Sequence, residues 1–225
     1  MCKEGTAIGF AGIDKQDIIL YLARILYHAG KRVLIVDQSE TQAVTECIPC
    51  PDGLDQTIIE YRGIYFLRAQ KREEDWSSIL GKKGYDFILT DYGFHPDARA
   101  FSVSDHIICV TDQQKHNWNR VLPLLGMGGD KLSIIIRDVV GHIAKEWNRN
   151  GFPELALLPA DRIHVMYLDE LDMKCKIRCQ YEISYHFKRL SIPTQNVIKK
   201  LVMEMLPGIN RKELRSAYRK AQRGD

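Results

Sequence analysis

Short runs of Val, Ile and Phe recur along this chain, separated by longer stretches of helical character, and this alternation restricts the fold more than any other feature. The runs at 6–10, 32–37, 64–67, 85–91, 106–111, 132–137 and 163–167 are mostly continuous rather than alternating. Continuous apolar runs suit strands covered on both faces. The intervening segments at 17–29, 76–81, 116–125, 168–178 and 195–206 read as helices, and parallel strands need crossovers of that kind. The segment at 17–29, DIILYLARILYHA, is apolar round most of its circumference and is followed by Gly30 in the C′ position. The pattern predicts an α/β fold: a mainly parallel sheet of about seven strands with helices on both faces.

At 225 residues one core suffices. A hydrophobic fraction of 45% beside a charged fraction of 27% excludes disordered and fibrous classes. No apolar run reaches the roughly 18 to 20 residues a membrane span requires, and the start, MCKEGTAIGF, carries no signal-peptide pattern, so a cytoplasmic location is expected. Six cysteines there stay reduced. The net charge of +3 is uneven: residues 210–225 carry six Lys or Arg against two acids, a local +4, which leaves −1 for residues 1–209. The expected organisation is one α/β domain, 1–209, followed by a basic C-terminal tail, 210–225.

The loop after the first run reads GFAGIDKQDII, Gly9 to Ile19. A glycine turn opening a helix aims backbone N–H groups at a phosphate, with a lysine to neutralise it and a hydroxyl to hold magnesium. Downstream, HAGKRVLIVDQSE ends a strand at Asp37 and KGYDFILTDYG ends another at Asp91, before SDHIICVTDQQ, KLSIIIRD and the pair LPAD and IHVMYLDE. From Thr6 to about Leu206 this order of strand endings resembles the deviant Walker A ATPases, the ParA/MinD group. The resemblance implies a P-loop NTPase-like fold, with Lys15, Asp37 and Asp91 as the remnants of a catalytic site and Gly12, Asp14, Lys15, Gln16 and Asp17 as the nucleotide-facing loop.

Aligned without gaps to the family's KGGxGKT[ST] loop, only Gly12 and Lys15 survive. The signature lysine, contributed in the family across a nucleotide-sandwich dimer, falls on Phe10, the first glycine on Ala11, the third on Asp14, and the two hydroxyl residues on Gln16 and Asp17. A carboxylate at Asp14 repels phosphate, and a left-handed backbone there costs about 1–2 kcal/mol. Gln16 is a poorer magnesium ligand than a hydroxyl. Two further departures are Ser39, where the family often has a second aspartate, and Arg137, at about the place of a base-contacting asparagine. No catalytic residue and no cofactor is therefore expected, with any binding of magnesium-ATP weak. The other reading of Gly9 to Asp17 is a plain strand-to-helix turn in which Asp17 caps the helix, Lys15 is solvated, and Asp37 and Asp91 face water.

Elsewhere, CIPC (Cys47, Cys50) and CKIRC (Cys175, Cys179) form two close pairs, but the second spacing is unusual for zinc and about 125 residues intervene, so buried thiols are expected and no metal. Neither HExxH nor GxSxG is present. Trp76, Trp118 and Trp147 read as core or interface residues, and nucleic acid is not an expected partner. In the tail, Leu214, Ala217, Tyr218 and Ala221 fall at i, i+3, i+4 and i+7 with Arg and Lys elsewhere: a basic amphipathic helix, or a frayed end.

These observations favour a non-catalytic or weakly nucleotide-binding scaffold or positioning factor, similar to the TadZ/CpaE type within the ParA/MinD group, serving an assembly such as pilus or secretion machinery. Expected partners are a protein, a second copy in a homodimer, and a peripheral membrane surface at the inner face reached through the basic tail. The rivals are a slow ATPase of septum-site or DNA-partition type and a relative of bacterial tyrosine kinases, although only Tyr218 lies near the end.

Overall fold

In the computed structural model, which describes residues 5–49, 58–68, 84–94, 102–141, 155, 158–182 and 185–223, the seven apolar runs and one further segment form eight strands. They are β1 (Thr6–Gly12), β2 (Val33–Asp37), β3 (Ile58–Tyr61), β4 (Ile64–Arg68), β5 (Phe87–Asp91), β6 (His106–Thr111), β7 (Leu132–Val139) and β8 (Ile163–Tyr167). One sheet holds them in the order β3-β4-β2-β5-β1-β6-β7-β8, and every pairing is parallel except β3 with β4. The eighth strand is β3, which the sequence reading omitted. It joins β4 through Arg62 and Gly63, both at positive φ (52° and 77°), as a two-residue hairpin turn that follows the strands' twist requires. Arg in place of the usual Asn or Asp hid that turn.

Five α-helices are described: α1 (Gln16–His28), α2 (Lys115–Gly128), α3 (Glu170–Tyr181), α4 (Ile192–Met205) and α5 (Arg211–Ala221). The helix expected at 76–81, with Trp76 and Trp147, lies outside the described residues. Strand residues alternate between two layers: Ile108, Val110 and Ile135 face the core that holds α1, α3, α4 and α5, whereas Ile107, Cys109, Ile134 and Ile136 face α2, where Trp118 is buried. Burial of α1 is complete from Gln16 to Leu26. Its end is a Schellman motif, with Lys31 N–H donating to Leu26 O and Gly30 N–H to Tyr27 O while Gly30 takes φ 78°.

The described part of the basic tail, 210–223, does not hang from this body. Asn210 and Glu213 form a capping box, and Leu214, Ala217, Tyr218 and Ala221 are buried against α1. Tyr218 also meets Phe187 edge-on at 5.5 Å and carries Lys199 over its ring at 4.4 Å. The apolar stripe is thus consumed by the fold, and the exposed faces of α5 present only its polar and charged side chains. Among the described residues no helix is long and apolar enough to cross a membrane.

Candidate functional site

Parallel sheets place their ligand crevice at the carboxyl ends of the strands, and three sequence-picked segments meet there. β1 lies between β5 and β6, and Asp37 stands directly opposite Asp91 across the β2–β5 pairing. The loop that leaves β1 is fastened on both sides: Gly12 N–H donates to Gly93 O and Ile13 N–H to Val110 O, both at 2.9 Å. Gly12 has φ 103°, and a Cβ there would sit 2.0 Å from Val110 O, so only glycine fits. Asp14 follows at φ 35°, a left-handed position filled by a residue that bears a charge.

From this point the charged side chains pair with one another. Lys15 is 5% exposed; its Nζ lies 2.8 Å from Asp91 Oδ1 and donates to Gly12 O at 2.9 Å. It is a buried ion-pair partner, not the solvated residue that a plain turn implied. Asp17 does not cap α1 either. The N-cap position is Lys15 itself, with no side-chain cap bond, and Asp17, one position inside the first turn, takes a two-pronged contact from Arg137 at 3.0 and 3.2 Å. Arg137 Nη1 also donates to Asp14 O. Lys176, on α3, donates to Asp14 Oδ2 at 2.8 Å. Three cations (Lys15, Arg137, Lys176) therefore face three carboxylates (Asp91, Asp17, Asp14).

Titration follows these contacts. Burial pushes the Asp14 carboxyl up, but the Lys176 hydrogen bond and charge, with Arg137 and Lys15 behind them, outweigh it and hold the group below the usual range. Asp91 goes the other way: burial raises it, and the nearby Asp37 adds to that against the pull of Lys15. Burial opposes the charge on Arg137, yet Asp17 and Asp138 keep it firmly protonated.

Asp37 is also buried, at 0% exposure, and does not face water. Its Oδ1 accepts from Ser39 N–H at 3.0 Å and Ser39 Oγ at 2.6 Å; its Oδ2 accepts from Val44 N–H and Thr45 N–H, each at 3.0 Å. Asp37 organises the loop after β2, and Ser39 serves it there. Phe10, by contrast, is not in the loop at all. It lies within β1, 0% exposed, paired with Asp91 and Ile108, so its side chain belongs to the core and offers nothing to a second molecule.

The first turn of α1 offers Gln16 and Asp17 where magnesium would need a hydroxyl, and Asp17 is already held by Arg137. What remains of a phosphate cradle is the tight turn at Gly12, the uncapped start of α1 and a lysine in place. Lys176 had no motif to announce it, although its neighbours Cys175 and Cys179 lie on the same buried side of α3. Arg137 was picked as a replaced base contact, but its role rests on an irregularity in β7, where pairing with β8 skips from Ile136 to Val139 and Asp138 takes φ 55°.

Cys47, Cys175 and Cys179 are buried thiols in the core around α1, and burial lifts the Cys47 thiol to about 12. Cys50 lies outside the described residues. Among the described residues no cluster of three or more His, Cys, Asp or Glu is arranged to hold a metal ion.

No protein-family model and no curated protein matches the chain. Solved structures do. The chain is similar to the MinD cell division protein of Aquifex aeolicus, with a TM-score of 0.68 at 15% identity, over 92% of this chain and 99% of that one. The fold is that of the MinD and ParA ATPases. It is also similar to a chain of the Aquifex aeolicus MinC:MinD cell division complex (TM-score 0.63, 14% identity, 92% and 98% covered) and to a Cyanothece McdA–ATP complex (TM-score 0.61, 11% identity, 92% and 98% covered). At such identities the likeness is one of fold: a mainly parallel eight-stranded sheet of P-loop NTPase type.

Proposed function

We propose that this protein is a MinD/ParA-fold scaffold or positioning factor that does not hydrolyse ATP and binds nucleotide weakly or not at all. One observation carries the reading: the loop that would cradle a triphosphate is closed by the protein's own ion pairs, Lys15 with Asp91, Arg137 with Asp17 and Lys176 with Asp14. A triphosphate approaching this loop meets the Asp14 carboxylate and must draw Lys15 away from a buried Asp91, which costs more than the same contact at a surface. No hydroxyl in the first turn holds magnesium, and Asp37 is committed to its own loop. A protein partner, as in the MinC:MinD complex, is the natural ligand of such a scaffold, and a pilus or secretion assembly in the cytoplasm, with peripheral contact at the inner membrane face, is the setting we favour.

The purified protein is expected to release phosphate from magnesium-ATP at the rate of a control without enzyme. Turnover that disappears in Lys15→Ala would overturn the reading. A slow ATPase is the second reading, supported by the uncapped start of α1 and the tight Gly12 turn. If loss of the cradle is the cause, Asp14→Gly with Gln16→Thr strengthens nucleotide binding. Restoring a lysine at Phe10 is not part of that test, since the side chain would be buried in the core.

A further inference from the structure

Nine large apolar side chains stand exposed among the described residues, and six of them (Tyr167, Leu168, Leu171, Ile177, Tyr181 and Ile192) fall at the end of β8, along α3 and at the first position of α4. The buried side of α3 is used up, with Cys175 and Cys179 in the core and Lys176 on Asp14. The outward side carries Leu171, Lys174, Ile177 and Tyr181 at intervals of three and four. It is not flat: Leu168, Met173, Lys174 and Ile177 line a groove of about 740 Å³. A bilayer takes apolar side chains that protrude, whereas a concave apolar strip takes a ridge of side chains from the helix of another chain. The shape therefore favours a protein segment over a lipid surface.

Charge around the groove decides what kind of segment fits. Arg178 is already paired with Glu182 one turn on, at 3.2 Å, and Asp169 and Asp172 are spent on the starts of α3 and α4. The turn that enters α4 runs along one flank of α3, with the Arg189 backbone on the Cys175 thiol and Ser191 on Asp172. On this surface Lys174, Lys188 and Arg189 are exposed and form no ion pair, against one unpaired acid, Glu170. Two copies set face to face would bring those cations together, whereas an acidic segment would neutralise them. We propose that the groove on α3 is a docking site for an amphipathic helix with acidic flanks, supplied by a protein other than this one. The inference rests on the scaffold reading only for there being a partner, and not on whether the loop at Gly12–Asp17 binds nucleotide.

Fluorescence anisotropy with two labelled synthetic peptides tests this on the full chain. Both carry leucines at i, i+3, i+4 and i+7; one has glutamates on its flanks and the other lysines. The protein is expected to bind the glutamate peptide saturably, more weakly as salt rises, and the lysine peptide at least about tenfold less well. Ile177→Glu, at a residue 48% exposed, should leave the thermal midpoint unchanged and weaken the glutamate peptide by a similar factor. Lys174→Glu with Lys188→Glu should reverse the preference between the peptides, a result that damage to the fold does not produce. Equal binding of the two peptides, binding of neither, or a preference that survives the double change would each overturn the proposal. So would phosphatidylglycerol vesicles that bind the wild type but not Ile177→Glu, since the groove would then serve a lipid surface. Phosphate release from magnesium-ATP, which decides the scaffold reading, is measured separately, so failure of one is not mistaken for failure of the other.

Discussion

The P-loop end of the sheet and the surface of α5 are both crowded with charge, and they are built in opposite ways. Around Gly12–Asp17 each cation has a carboxylate within 3.0 Å and the side chains of Lys15, Asp17, Asp91 and Arg137 are almost wholly buried. On α5 and just beyond it, Arg211, Lys212, Arg215, Arg219, Lys220 and Arg223 are exposed. Buried charge is resolved inside the molecule because an unpaired ion away from water is costly, whereas surface charge stays available because solvent already stabilises it. The difference separates residues whose loss unfolds the protein from residues whose loss changes only what it touches.

Arg137→Ala should have the largest effect, since it leaves Asp17 buried without its partner and frees the Asp14 carbonyl; a loss of about 3–5 kcal/mol is expected in chemical denaturation. Replacing both partners, Arg137→Met with Asp17→Leu, should recover most of it. Should Arg137→Ala unfold at the wild-type midpoint, the buried network is not structural and the contrast fails. Lys15→Met should cost less, about 2 kcal/mol. Asp91 keeps the Gly93 N–H at 2.8 Å, and its raised pKa lets it shed the charge by taking up a proton.

Acid probes two histidines, one half-buried and one buried. His106 and His164 are both pushed down to about 4, chiefly by burial, with Arg162 opposing protonation of His106, and Lys200, His106 and Arg162 opposing that of His164. A histidine whose folded pKa lies below its unfolded value of about 6.5 binds protons more readily when unfolded. Its contribution is therefore full above pH 6.5 and is lost as pH falls toward 4, on the order of 1 kcal/mol for each ring after solvent screening. Thermal midpoints across that window check it, and His164→Leu should flatten the slope. An unchanged slope would mean that His164 already titrates normally.

The smallest stability effect belongs to α5. Arg215→Glu with Arg219→Glu should move stability by no more than about 0.5 kcal/mol per site, while reducing salt-sensitive sedimentation with anionic vesicles or recovery of an acidic partner. On the other face of the same helix Leu214→Ala should cost about 2–5 kcal/mol. Deleting residues 210–225, which a free tail would tolerate, removes part of the core around α1 and is expected to destabilise the fold.

The mainly parallel sheet was legible because parallel strands announce themselves as continuous apolar runs, and the meeting of Gly12, Asp37 and Asp91 followed from the order of strand endings that resembles the ParA/MinD group; the full strand order was not. The helical spacing of Leu214, Ala217, Tyr218 and Ala221 was legible too, but not that it packs on α1: the segment read as a basic tail outside the domain, because two alanines contribute little apolar area. β3 was missed because Ile58–Tyr61 is short and its turn, Arg62-Gly63, lacks the usual residues. The ion pairs were not legible for a different reason. Lys176 is 162 residues from Asp14 and Arg137 is 120 from Asp17, and no local pattern encodes a contact made only when α3 and the irregular end of β7 converge on one loop. A lysine on the buried side of α3, between Cys175 and Cys179, was the one available hint, since such a lysine must find an anion.

Isothermal titration of magnesium-ATP into the protein tests the central claim most directly, with Asp14→Gly/Gln16→Thr titrated beside it. A loop closed by its own ion pairs predicts no saturable heat for the wild type at millimolar nucleotide and a measurable isotherm for the opened variant. Micromolar, magnesium-dependent binding by the wild type that Lys15→Ala abolishes would contradict the account, because it would mean that Lys15 leaves Asp91 readily and that the cradle still works.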